Sequence, residues 1–137
     1  KKIVSSNVKL TPLSLSVWFA DDGYVRSLHV PWRLQLKFST HGFELQDVEF
    51  LSSKLCERYK EYFGITLEGS EKKPIIHASD SATRAFLAEI DCCFPEAMNR
   101  KAHWRKPEVC FYNNQPKKSK NQFSLQKSTQ GIRNDSP

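Results

Sequence analysis

No apolar run in this chain approaches the roughly 20 residues that a membrane-spanning helix needs. No secretory signal pattern opens it either, and no membrane partner is expected. Cysteine is sparse, with four residues at 56, 92, 93 and 110. Cys92 and Cys93 are adjacent and cannot readily bridge each other, and no pair has zinc-ligand spacing. Reduced thiols in an intracellular protein are the expectation. Acidic side chains are in short supply: 15 against 21 lysines and arginines, for a net charge of +6 and a pI near 9.2. That balance suits a polyanionic partner.

What remains is enough for one domain. The 137 residues are 39% hydrophobic and 12% aromatic, which allows a real core. The chain opens on Lys1-Lys2 rather than Met, as expected of a fragment, a processed chain or one whose start is missing.

Residues 10–23 carry the most information. Thr11 suits a helix N-cap and Pro12 the first helical position. The following residues are mostly apolar, with small ones between them. The segment closes on Asp21, Asp22 and Gly23. A helix C-terminus is partially negative, so two carboxylates there are locally disfavoured. Residues set against their local preference are often there for function, and paired carboxylates invite a hard divalent cation. Gly23 is expected to take the left-handed conformation that ends the helix.

The pattern then alternates. Trp32, Leu34, Leu36 and Phe38 interleave with Arg33, Gln35, Lys37 and Ser39, a strand with one apolar and one polar face. Residues 24–30 supply an opposing strand. From Glu44 to Phe63 the period is helical, with Val48, Leu51, Leu55 and either Tyr59 or Tyr62 in the stripe and Gly64 as the stop. Ile65–Glu68 and Pro74–Ala78 read as further strands. Asp80 or Ser81 caps a helix with Phe86, Leu87 and Ile90 inward. Pro95 opens a last short helix that runs out near His103. The order is α-β-β-α-β-β-α, an α+β fold with a four-stranded antiparallel sheet whose polar face is concave and open. The domain spans residues 1–112. Residues 113–137 hold Lys117, Lys118, Lys120, Lys127 and Arg133 against Asp135 alone, with no hydrophobic period, and read as a basic polar tail.

Residues 15–23 resemble the motif of the LAGLIDADG homing endonucleases, in the variant form ending Trp18-Phe19-x-Asp21-Asp22-Gly23. Further segments match in order. Phe38–Phe43 with Asp47–Leu51 resembles the family's second strand running into its second helix. Lys72–Ile76 resembles its fourth strand with the preceding lysine, and Phe94–Lys101 the close of the repeat. The resemblance covers roughly residues 8–104. Leu87–Asp91 is only a superficial second copy, lacking the Asp-Gly ending, so the chain carries one motif.

The resemblance implies a site-specific double-stranded DNA endonuclease using Mg2+ or Mn2+. Asp22 is the implied metal ligand and catalytic carboxylate, with Gly23 and Asp21 as further metal contacts. Lys73 is implied beside the scissile phosphate, with Lys72 its competitor. His41 falls where the family usually has glutamine, near the active centre, and is titratable near neutral pH. In the family two motif helices pack side by side, so a second repeat is an implied partner, in a homodimer or in another chain. Leu13, Ser16 and Ala20 are the expected shared face, since small residues four apart permit close approach. On the open sheet, Arg33, Gln35 and Lys37 share parity, Arg26 joins them, and Arg and Gln suit major-groove base edges. Thr66, Glu68 and His77 fall on the second ribbon with their parity open. Arg100 and Lys101, followed by His103, Arg105 and Lys106, suit phosphate contacts. The implied setting is intracellular, in a mitochondrion or chloroplast or in the cytoplasm of a bacterial or phage host. Two other readings stand beside this one. RNA is the partner in an RNA-binding descendant, a group I intron maturase, splicing factor or ribonucleoprotein component without nuclease activity. The last is a degenerate half-domain of a larger enzyme.

Overall fold

Thr11 caps the first helix through a reciprocal pair of bonds. Its hydroxyl accepts from the Ser14 amide at 3.1 Å, and the Ser14 hydroxyl accepts from the Thr11 amide at 2.9 Å. Serine thus plays the part that glutamate usually takes in a capping box. The computed structural model describes residues 2–28 and 33–102. Trp32, Pro31, His103, Arg105, Lys106 and the basic tail lie outside the described residues.

Helix α1 runs Pro12–Asp22, followed by β1 (Gly23–Ser27) and β2 (Leu34–Phe38). Helix α2 is Leu45–Tyr59, then come β3 (Phe63–Glu68), β4 (Lys73–Ala78) and α3 (Asp80–Ile90). A short 3₁₀ helix, Glu96–Lys101, closes the described chain. The sheet order is β1-β2-β4-β3, antiparallel at every pairing. The α+β fold is the one the sequence predicts. No helix among the described residues is long and apolar enough to cross a membrane.

The helices cover one face of the sheet. Leu34, Leu36 and Phe38 point inward and are buried with Leu15 and Phe19 of α1, Val48 and Leu55 of α2, and Phe86 and Ile90 of α3. Phe38 is the hub. Trp18 stacks on it at 4.0 Å, and Phe86 and Phe19 meet it edge-on at 5.5 and 6.4 Å. The β2–β4 ladder is short, with Lys37 opposite His77 and Phe38 opposite Ile76. The β2 amides left over go to α3: Leu34 N–H donates to Asp80 Oδ1 at 2.8 Å and Leu36 N–H to Thr83 Oγ1 at 2.9 Å. A buried amide needs such a partner, so the start of α3 completes the sheet.

Several boundaries differ from the sequence reading. Helix α2 stops at Tyr59, because Lys60 turns left-handed at φ 53° and donates its amide to Cys56 O. Gly64 is therefore a strand residue, and Tyr59 rather than Tyr62 belongs to the buried stripe. Phe63 enters the sheet early, its carbonyl taken by the Ser52 hydroxyl at 2.8 Å. Helix α3 is capped by Ser79, whose hydroxyl accepts from Ala82 N, rather than by Asp80 or Ser81.

Gly23 is the clearest correction. Its φ is −90° and ψ 152°, extended rather than left-handed. The requirement for glycine is contact instead. A Cβ there would meet the Phe19 ring at 2.3 Å and the Phe19 carbonyl oxygen at 2.8 Å. Helix α1 passes straight into β1 without a turn, and only a residue with no side chain fits against Phe19.

Candidate nucleic-acid interface and cleavage centre

The side of the sheet away from the helices carries polar side chains in cross-strand rows. Arg26 faces Gln35 in the β1–β2 ladder, and its Nε donates to Gln35 Oε1 at 2.9 Å. The next row runs Tyr24, Lys37, His77 and Gly64 across all four strands. Lys37 Nζ bonds Glu68 Oε1 at 2.6 Å. The Lys37 ammonium holds the Glu68 carboxyl below the usual carboxylate range. Burial, reinforced by the Lys37 charge, pushes the His77 imidazole down, with Glu68 opposing. Glu68 and His77 thus join the open face, and Thr66 has the same parity as Glu68.

Tyr62 and Tyr24 extend this face beyond the sequence reading. The Tyr62 ring meets His77 edge-on at 6.0 Å. A Cβ on Gly64 would strike the Tyr62 hydroxyl at 2.3 Å. Glycine inside a strand marks such an approach, and that was the available signal. Arg33 is exposed just before β2, its carbonyl accepting from Leu28 N at 3.0 Å. It keeps the parity of Gln35 and Lys37 but sits at the opposite end of the sheet from Asp22.

The end of α1, the start of β1, the end of β2, the start of β4 and the end of β3 meet at one end of the sheet. The Asp22 carbonyl accepts from Ser39 N at 2.9 Å, which continues the β1–β2 ladder one step. His41 lies two residues beyond Ser39. Lys73 opens β4 opposite Glu68. His41, Glu68, Gly69, Ser70, Glu71 and Lys73 line a shallow cavity of about 340 Å³. Lys72 stands in the preceding turn with φ 48° and does not line it, so Lys73 is the lysine at the cavity. It is paired with Glu71 at 2.7 Å, both side chains largely exposed. A pair so exposed is worth little and exchanges readily for another anion. The fold thus gathers Asp22, His41 and Lys73 at the same end.

Other expected residues sit elsewhere. Ser16 is fully buried in the chain's own core, its hydroxyl donating to Cys93 O at 2.9 Å, so it leaves the expected shared helix face. Leu13 is 63% exposed and Val17 56%, and these form the open stripe of α1 with half-buried Ala20 beside them. Arg100 is exposed. Lys101 is engaged at the end of α1: its ammonium donates to the carbonyls of Ala20 at 2.6 Å and Gly23 at 3.2 Å.

Whether these residues fit a divalent cation is settled by the donors. Among the described residues no group of three or more His, Cys, Asp or Glu converges. Asp22 offers a hard carboxylate, but the carbonyls beside it are engaged by Lys101. Asp21 is exposed, and its carbonyl also faces Lys101 at 3.4 Å. Asp22 is thus a single carboxylate donor at the end of α1, and among the described residues no enclosing set of donors stands beside it.

The open face of the sheet is thus polar, backed by helices on its other side, with Asp22, Glu68 and Glu71 at one end. A sequence model of the LAGLIDADG DNA endonuclease family matches residues 1–86, and the chain belongs to that family. Among solved structures it is similar to the homing endonuclease I-WcaI bound to its DNA recognition sequence, at 26% identity with a TM-score of 0.57. That likeness covers 67% of this chain and 40% of the other, so the chain spans well under half of that enzyme's length. No curated protein matches the sequence.

Proposed function

We propose that this chain is one repeat of a site-specific, homing-type DNA endonuclease that cleaves with a divalent cation, Mg2+ or Mn2+, and works beside a second repeat. The observation that carries this reading is the arrival of Asp22, His41 and Lys73 at one end of the open polar sheet. Phosphodiester hydrolysis needs an activated water, a neutralised phosphate and a stabilised leaving oxygen, and a bound divalent cation supplies all three. Asp22 would hold that cation with a carboxylate from the second repeat, while Asp21 and Gly23 act through the backbone that aims Asp22. Lys73 gives up its exposed pairing with Glu71 and turns its ammonium to the phosphate. His41, on the same cavity wall, orients water or carries a proton. Duplex DNA lies along the rows of Arg26, Gln35 and Lys37, with Arg33 at their far end and Arg100 on the backbone. The second repeat covers Leu13 and Val17, which a single chain leaves open.

The test is Asp22→Asn. Strand cleavage in magnesium is expected to vanish while duplex affinity stays within a few-fold of wild type, because the carboxylate serves the cation and not the groove. Cleavage at the wild-type rate would remove Asp22 from the centre and with it this reading.

A further inference from the structure

Helix α3 ends in a turn that carries two adjacent cysteines. Neighbouring side chains on a helix or a strand do not face each other, yet the Cys92 and Cys93 sulfurs stand 3.4 Å apart. The turn brings them together, and its surroundings hold it there. Cys93 N–H donates to Ile90 O at 2.9 Å, and Cys93 O accepts from the Ser16 hydroxyl, also at 2.9 Å. Ile90 and Phe94 on either side are buried, and the Phe94 ring lies 5.6 Å from that of Phe19. Cys92 is exposed and Cys93 half-buried, so the pair is reachable from solvent on an anchored backbone.

A disulfide does not suit this turn. It needs sulfurs about 2.05 Å apart and Cα atoms at least about 4.4 Å apart, whereas consecutive Cα atoms are held at about 3.8 Å. Closing it would twist a segment in which both Cys93 backbone groups are already bonded. Chelation asks for much less. At a metal–sulfur bond of about 2.3 Å, sulfurs 3.4 Å apart subtend about 95° at a shared centre. That bite suits a pyramidal centre, or a tetrahedral one after a slight opening. A linear centre would need sulfurs about 4.6 Å apart at the same bond length. Thiolates also select soft centres over hard ones. Among the described residues no third His, Cys, Asp or Glu converges on the pair, which sets it apart from a closed four-ligand zinc site.

We propose that Cys92 and Cys93 form a chelating dithiol for thiophilic centres that bring their remaining ligand with them, of which a trivalent arsenical with one organic group is the matching class. With phenylarsine oxide each thiol gives its proton to the departing oxygen, two arsenic–sulfur bonds form and one water leaves. Arsenic stays trivalent, so no oxidant or reductant takes part. The ring closes at the sulfurs and leaves both Cys93 backbone bonds in place.

The test loads the reduced full chain with one equivalent of phenylarsine oxide and reads the intact mass. One phenylarsenic group per chain is expected. It should survive a large excess of glutathione, a monothiol, and leave with 2,3-dimercaptopropanol, because two sulfurs on one chain act at a high effective concentration. Cys92→Ser changes an exposed residue and is expected to fold as wild type. Its adduct should wash out with glutathione, for a retention about 100-fold weaker or more. Cys56→Ser and Cys110→Ser are expected to keep the wild-type retention. The loaded chain is expected to melt at or above the midpoint of the free chain. A wild-type adduct that glutathione removes, full retention in Cys92→Ser, or lost retention in Cys56→Ser or Cys110→Ser overturns the proposal. So does a loaded chain that melts below the free one, the sign of a turn forced to give way. None of these measurements reads cleavage, so they are independent of Asp22→Asn.

Discussion

The Ser16 hydroxyl donates to the carbonyl of Cys93 at 2.9 Å, across 77 positions of sequence. The bond lies on the face of α1 that packs Leu15 and Phe19 into the chain's own core, with Leu13 and Val17 left outward.

Ser16 and Val17 are therefore expected to separate folding from assembly. Ser16→Leu overpacks a closed core and strands the Cys93 carbonyl, at a cost of about 1–3 kcal/mol. Its urea midpoint is expected to fall. Val17→Lys alters an exposed position, where substitutions usually stay within about 0.5 kcal/mol. It is expected to leave the midpoint in place and weaken association of repeats in sedimentation. The opposite pattern, a stable Ser16→Leu that fails to assemble, would return Ser16 to the shared face.

Acidification is expected to weaken the folded state in two steps. The His77 imidazole is pushed down, chiefly by burial, so the unfolded chain takes up that proton first. Its contribution is complete above the unfolded value near 6.5 and is lost as pH falls through the lower folded value. The Glu68 carboxyl is held down by Lys37, so its contribution is present above the ordinary value of 4.5 and disappears as pH falls through its folded value. Urea unfolding between neutral pH and pH 3 reads both. His77→Gln is expected to erase the upper step and Glu68→Gln to reduce the lower one, to which Glu89, held down by Arg58, also contributes. A stability that rises on acidification from neutral pH would contradict the His77 assignment.

Much of this layout was legible because period and motif are local signals. The alternation over Leu34–Phe38 gives the strand and its faces, and the stripe Val48, Leu51, Leu55 gives α2. Residues 15–23 and the lysine before Pro74 locate the end of the sheet where Asp22, His41 and Lys73 meet. What was not legible depends on contacts distant in sequence. Gly23 reads as a helix-ending turn, because nothing local shows that the Phe19 ring occupies the place of its Cβ. Ser16 and Ala20 read as a close-packing pair by spacing alone, whereas the Cys93 carbonyl decides where Ser16 points. Lys101 reads as one more basic residue in a basic segment. Only the packing of Phe94 and Ala102 carries it to the end of α1.

The final expectation concerns the partner. Binding to duplex DNA should weaken steeply with salt, since each neutralised phosphate releases counterion. Arg33→Ala should cost about 1–3 kcal/mol at one base position and relax preference there, because a guanidinium reads guanine through two parallel bonds. Arg26 differs, since its Nε is already committed to Gln35. Gln35→Ala should free it and change which base is preferred rather than remove the preference. Deleting residues 113–137 should flatten the salt slope without altering sequence preference, as a segment rich in lysine and poor in apolar residues meets phosphates without a frame for reading bases. An RNA-binding descendant predicts the reverse. Structured RNA would outcompete duplex DNA at equal salt, and tail deletion would remove most of that affinity. Competition binding with both ligands, read against a randomised duplex library, separates the two. Tight RNA binding with no preference for any DNA site would overturn the endonuclease reading, whatever the state of Asp22.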